Sequence, residues 1–178
     1  YICYEAHKMP IIKQLFSKKQ PERVIIFSSS KMKVKELTAA LKRLHFNVAA
    51  MHSDLEQSER EQVMKEFRNG RIGVLVATDV VARGIDINDI TLVINYDIPN
   101  DPEDYVHRIG RTARGTDGKG LAITFVSQQE QAKFKEIETF LEKEIYKIPL
   151  DADLGEAPAY EPEKYSRSRS RSRSRGGQ

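Results

Sequence analysis

Apolar residues follow two spacings along this chain, and the alternation between them sets the fold. Val24-Ile25-Ile26-Phe27 is a continuous apolar run of the kind that forms a strand covered on both faces. Val48 to Met51, Ile72 to Val76, Leu92 to Tyr96 and Leu121 to Val126 repeat that pattern, and Tyr1 to Tyr4 can add a short strand. Between them the apolar positions move to helical spacing, over His7 to Phe16, Lys31 to Leu44, a stretch ending near Phe67, and about Gln129 to Glu142. Ser53 or Asp54 can cap the third of these helices, with Glu56 or Gln57 closing a capping box, and Asn69-Gly70 ends it. Strands alternating with helices at this interval predict parallel βαβ units with right-handed crossovers. The expected fold is α/β, an open parallel sheet with helices on both faces. In such sheets the loops leaving the C-terminal strand ends form the working edge. Ser28 to Ser30, His52 to Asp54, Ala77 to Asp86, Asp97 to Asp101 and Ser127 fall on that edge or in connected turns.

After Pro149 the periodicity stops. Ala157 to Pro162 reads as a linker with two prolines, and Ser166 to Arg175 is a strict Ser-Arg alternation. That repeat has no apolar residue with which to offset ordering entropy, so residues 151–178 are expected to be a disordered linker and tail. The tail can hold RNA electrostatically, be switched by serine phosphorylation, or simply solubilise. Residues 1–150 are expected to be the folded domain.

Composition narrows the class. With 39% hydrophobic and 31% charged residues and no long apolar run, the chain reads as globular and not as a membrane protein. The net charge is +3, but five arginines sit in the tail repeat, so the body is close to −2 and gives no charge argument for nucleic acid. Cys3 is the only cysteine, which excludes an intrachain disulfide and a four-cysteine zinc site and points to a reducing, cytoplasmic location. The opening Tyr1-Ile2-Cys3-Tyr4 has neither initiator Met nor signal segment and reads as a piece of a longer protein.

Two stretches carry candidate chemistry. The first, His107 to Gly115, follows a marked helix start with Asp101 as cap, Pro102 in the first turn, and Glu103 and Asp104 at the positive end of the dipole. Arg108, Arg111 and Arg114 recur every three residues, and three guanidiniums that close repel one another unless an anion lies among them. Phosphate suits planar forked donors; a solvated cationic face is the alternative. The second, Val76 to Ile87, leaves a buried strand and turns at once to Thr78, Asp79, Arg83, Gly84 and Asp86. Gly84 permits close approach to a ligand, Thr78 offers a hydroxyl and Asp86 an acceptor, unless this is only a helical turn capped by Asp79 and ended by Gly84.

Together these stretches resemble the C-terminal RecA-like domain of DEAD-box RNA helicases. Ile25 to Ser30 resembles motif IV, His52 to Arg60 the following Gln-x-x-Arg segment, Ala77 to Ile87 motif V, and His107 to Gly115 motif VI. The resemblance implies that Arg111 and Arg114 are arginine fingers for ATP, with Gly84 and Asp86 near the nucleotide. It further implies that Ser30, Asp54, Arg60 and Thr78 touch the RNA sugar-phosphate backbone, and that Arg83, His107 and Arg108 couple domains and motifs. Where the family usually has Thr and Gly this chain has Ser30, which keeps the hydroxyl, and Ala113 and Ser53. No Gly-x-x-x-x-Gly-Lys-Ser/Thr and no Asp-Glu-Ala-Asp occurs, so the phosphate cradle and the Mg2+ carboxylates are expected in an N-terminal RecA-like partner domain. The expected activity is ATP-dependent RNA unwinding by the full protein, with RNA read by backbone and shape. The rivals are a DNA helicase or translocase, and a non-catalytic adaptor. His52 is expected to pack or lie beside RNA; His7 and His45 read as surface residues, and Tyr96 and Tyr105 as packing residues.

Overall fold

The computed structural model describes residues 1–79, 90–110 and 120–166. Five parallel strands, β1 (Val24–Ser28), β2 (Val48–Met51), β3 (Val74–Thr78), β4 (Leu92–Asn95) and β5 (Leu121–Thr124), form one sheet in the order β2-β3-β1-β4-β5. Val24 is in register with both Val74 and Leu92, so the C-terminal ends of the central strands share one edge. Among the described residues the helices of eight residues or more are α1 (Glu5–Ser17), α2 (Lys31–Arg43), α3 (Gln57–Arg68), α4 (Pro102–Ile109) and α5 (Gln131–Leu141). The doubly covered α/β sheet expected from the sequence is therefore present.

Each central strand feeds two cores because its side chains alternate in direction. Val24, Ile26, Val74, Val76 and Ile94 pack with Ile11, Ile12, Val34, Leu37 and Leu41 on one side. Ile25, Phe27, Leu75, Ala77 and Val93 pack with Met51 and Phe67 on the other. A third cluster of Ile98, Tyr105, Val126, Phe134 and Ile137 joins α4 and α5. Each such fully buried side chain contributes roughly 1.5–3 kcal/mol. Gly73 sits where a Cβ would lie 2.1 Å from the Pro21 carbonyl oxygen, a close approach of two backbones that only glycine permits.

The helix starts match the sequence unevenly. Ser30 caps α2 by accepting from the Lys33 amide, and Asp101 caps α4 by accepting from the Glu103 amide. By contrast α3 starts only at Gln57, with Glu56 at the cap position and no side-chain cap. Ser53 and Asp54 instead lie in a turn, and the Asp54 carboxylate is taken by Lys31 and Lys35. The last helix begins with a 3-10 turn, Gln128–Glu130, closed by a reciprocal Ser127–Glu130 capping box. The N-terminal strand expected at Tyr1 to Tyr4 is reduced to one bridge, Ile2 to Val126.

Two buried charges lock the flanks. Lys8, 1% exposed, pairs with Glu5 and Glu130 and lies over the Tyr96 ring. Glu138 accepts from the Tyr160 hydroxyl, the Ile145 amide and Lys147. Burial alone would raise its pKa; those donors outweigh it and hold the carboxyl below its ordinary range.

Glu138 and its neighbours on α5 also have partners past the expected boundary at residue 150. Residues 151–166 pack against the body: Gln131 bonds both the Ala159 carbonyl and the Glu161 amide, Tyr160 stacks edge-on against Phe134, and residues 162–166 are helical. A proline-punctuated polar stretch reads as a linker until the buried Glu138 carboxylate and the Phe134 ring on α5 supply its partners. The Ser-Arg repeat beyond Ser166 lies outside the described residues. Among the described residues no helix is long and apolar enough to cross a membrane.

Cys3 is fully buried and its thiol is pushed up to about 11, chiefly by burial. Since the thiolate is the reactive species, native protein at pH 8 is expected to react with a disulfide reagent only through opening of the structure, orders of magnitude more slowly than denatured protein. Stopped-flow labelling in and out of guanidinium checks this; equal rates would mean that the α1 side of the sheet opens freely.

Candidate functional site

The polar centre of the working edge is built from the ends of β1, β3 and β4 and one side chain of α4. Asp101 and Pro102 set the start of α4, and Arg108 falls on its last turn facing the sheet. Its guanidinium is only 2% exposed. Nε and Nη2 fork onto the two oxygens of Asp79, with Nη2 to Oδ2 at 2.7 Å. Nη1 donates to the Asp97 carbonyl at 2.8 Å, and Nη2 to Ser29 Oγ at 3.2 Å. Asp97 in turn accepts from Ser28 Oγ at 2.6 Å and from the Ser29 amide and hydroxyl. The guanidinium also lies over the Phe27 ring, 5.6 Å from its centroid.

A charge this deep is tolerated only when its donors are nearly all paired, and here they tie three strand ends into one unit. Sequence reasoning placed Arg108 among the coupling residues but missed its partners Asp79, Asp97 and Ser29, and Ser28 behind Asp97. The usable signal was a carboxylate within two residues of the end of a largely apolar strand, seen at both Asp79 and Asp97. Asp79 is also the last described residue before 80–89, and Gly110, two residues past Arg108, the last before 111–119.

The other expected site residues divide. Thr78 is half-buried and in register with Ser28, and exposed Ser30 caps α2 two residues on, so both belong to the same edge. His107 is exposed, on the face of α4 away from Arg108's contacts. Arg60 lies on the first turn of α3 with its Nε buried and without a hydrogen-bond partner. Asp54 is half-exposed between Lys31 at 2.9 Å and Lys35 at 3.0 Å, and the lysine hydrogen bonds hold its carboxyl down at about 2. His52 is buried, its Nδ1 accepting from the Asp54 amide, and burial followed by the charge of Lys35 lowers its basicity. A neutral imidazole acting as backbone acceptor is a packing role. Tyr96 and Tyr105 are buried against Phe125 and Thr124 respectively, as packing residues. Arg83, Gly84, Asp86, Arg111 and Arg114 lie outside the described residues. Among the described residues no cluster of three His, Cys, Asp or Glu is placed to hold a metal ion.

The helicase conserved C-terminal domain matches residues 7–116, which takes in all three strand ends of the Arg108 network. The chain is the C-terminal domain of a DEAD-box helicase. It is 43% identical over 147 residues to ATP-dependent RNA helicase eIF4A of Scheffersomyces stipitis, covering 83% of this chain and 37% of that relative. Among solved structures it resembles the E. coli DEAD-box protein SrmB bound to RraA, at 34% identity and a TM-score of 0.79 over 88% of this chain and 93% of that one. It also resembles S. cerevisiae Dbp5 bound to RNA and ADP BeF3, at 35% identity and a TM-score of 0.72 over 80% of this chain and 38% of that one. The DEAD-box domain described here thus spans well under half the length of the curated relatives it matches.

Proposed function

We propose that this domain is the moving half of an ATP-dependent RNA helicase, contributing arginine fingers to ATP hydrolysis and a sugar-phosphate grip to RNA. The observation that carries the reading is the Arg108 network. Asp79 opens the segment holding Arg83, Gly84 and Asp86, and Arg108 precedes the segment holding Arg111 and Arg114, so one buried guanidinium fixes where both depart. A ligand group touching either segment is thereby coupled to Ser28 to Ser30, beside the proposed RNA contacts Ser30 and Thr78.

The residues present fit one side of a nucleotide site and not the whole of it. Arg108 is committed to Asp79, Asp97 and Ser29; the resemblance to the DEAD-box motifs assigns the phosphate to Arg111 and Arg114, with Gly84 and Asp86 approaching the nucleotide beside them. Asp79 and Asp97 are likewise engaged by donors, so the Mg2+ carboxylates and the phosphate cradle are assigned to an N-terminal RecA-like domain. ATP supplies a phosphoryl group whose charge redistributes during transfer, and fingers aimed there stabilise it. Closure of the two domains brings the fingers in while Ser30, Asp54, Arg60 and Thr78 grip RNA by its backbone, and the coupling passes through Arg83, His107 and Arg108. The neighbours named as an ATP-dependent RNA helicase and as bound to RNA support RNA over DNA as the nucleic acid. The expected location is the cytoplasm.

The test is reconstitution. The 178-residue chain alone is expected to show no RNA-stimulated ATPase; fused to an N-terminal DEAD-box domain it is expected to regain ATPase and unwinding of short RNA duplexes. Turnover by the purified chain that Arg111→Ala abolishes would overturn the half-site reading.

A further inference from the structure

We propose that Lys31 and Lys35 are phosphate contacts for single-stranded RNA at the corner between β1 and β2, and that Asp54 is a positioning residue that holds their two amines at a fixed spacing. The inference rests on the RNA-helicase reading and revises the part that Asp54 plays in it. A carboxylate facing a polyanion is repelled, and Asp54 stays ionised throughout the physiological range, its carboxyl being held at about 2. It is not presented to solvent alone. Oδ1 accepts from Lys31 Nζ at 2.9 Å and Oδ2 from Lys35 Nζ at 3.0 Å. Each ammonium has three donors and spends one here, and the two side chains remain 47% and 53% exposed. The group as a whole carries a charge of +1 on the surface, with both ammonium-bearing side chains open to solvent.

Stability does not account for the arrangement. Exposed ion pairs add little to stability, and two lysines at i and i+4 on one helix face repel each other weakly. Bringing a carboxylate from another element to sit between them makes sense where the two charges are to be kept close together. The position agrees: Lys31 follows the cap residue Ser30 on the β1 exit, and Asp54 follows the β2 exit, so the triad spans two of the loops assigned to RNA. The local field agrees as well. Next to burial, the charge of Lys35 is the largest influence on His52, lowering its basicity against the opposing pull of Asp54 and Glu59. Lys33, between the two on the helix, faces elsewhere and pairs with Glu36.

The test uses the full 178-residue chain, a fluorescein-labelled oligouridine and anisotropy over a salt series. Each phosphate neutralised on a single strand adds roughly 0.7 to the log-log salt slope. Changing Lys31→Gln and Lys35→Gln together is expected to lower the slope by about 1.4, while Lys33→Gln with Lys42→Gln, the same charge change on the same helix, leaves it unaltered. Asp54→Asn is expected to weaken binding in the parent chain and to have no such effect once both lysines are glutamine. An unchanged slope in the first pair, or an equal drop in the control pair, overturns the lysine assignment. Loss of affinity from Asp54→Asn in both backgrounds makes Asp54 a direct contact, and tighter binding makes it a repulsive one; either overturns the positioning role. Circular dichroism of each variant shows that α2 is retained. If the parent chain fails to bind the oligouridine even at low salt, the RNA reading itself falls; binding with a slope indifferent to the lysines sinks this inference alone.

Discussion

Arg111→Ala and Arg114→Ala, each made in a protein that carries both helicase domains, are expected to lower kcat by roughly 10³ to 10⁵, the general range for an arginine finger. The charge that a finger stabilises develops on the phosphoryl group only in the transition state, so its removal raises the barrier far more than it loosens ground-state binding. Affinity for a non-hydrolysable ATP analogue should change little by comparison. Lysine should rescue little at either position, because a point charge on a flexible stem does not reproduce a planar fork. The measurement is steady-state ATPase at saturating RNA, with analogue binding as the companion readout. Near-normal kcat together with weakened RNA binding would make the arginine a strand contact and overturn its assignment to ATP.

Arg108→Ala is expected to act on the fold first. Removing it leaves Asp79 without the guanidinium that forks onto it, and Asp97 with Ser28 and Ser29 as its remaining donors on the sheet edge. Breaking a buried pair by deleting one partner costs about 3–5 kcal/mol, and the lower end applies because Asp79 and Asp97 keep 17% and 22% of their side-chain surface. At ~2–4 °C per kcal/mol for a domain of this size, Tm should fall by about 10 °C. Arg108→Lys retains the charge but not the fork, and should recover less than half of that loss. Thermal unfolding of the 178-residue chain followed by circular dichroism reads the effect directly. A Tm within two or three degrees of the parent, roughly the equivalent of 1 kcal/mol, would show that the network is not a structural unit. If the network also couples nucleotide to RNA, Arg108→Lys in the two-domain protein should lose RNA stimulation of ATPase while keeping much of the basal rate.

The sequence by itself determined the sheet and the kinds of chemistry on its edge. Runs such as Val24 to Phe27 and Val74 to Ala77 have no polar face, so they can only be strands covered on both sides, and the helices between them force parallel crossovers. Ser30 and Asp101 were legible as caps because a cap is a local device, satisfied within three residues. The motifs were legible for the same reason: each is a contiguous stretch whose residue types state a chemistry.

Pairing across the fold was decided only by tertiary structure. Arg108 finds Asp79, 29 residues away, only because β1, β3 and β4 are in register, and no local pattern marks which of many carboxylates will be the partner. Asp54 reads as a candidate helix cap until α2 is placed beside the β2 exit, where two ammoniums compete better than a single amide for its carboxylate. Lys8 looks like a solvated surface residue in one dimension and is buried because Glu130 and the Tyr96 ring meet it there. Residues 151–166 read as a linker because their apolar content is low, yet they fold back since Glu138 and Gln131, buried on α5, require donors and acceptors that only this segment and its neighbours supply. Periodicity records which face of an element is dry; it does not record which charge will meet which, and at this edge that second fact holds the site together.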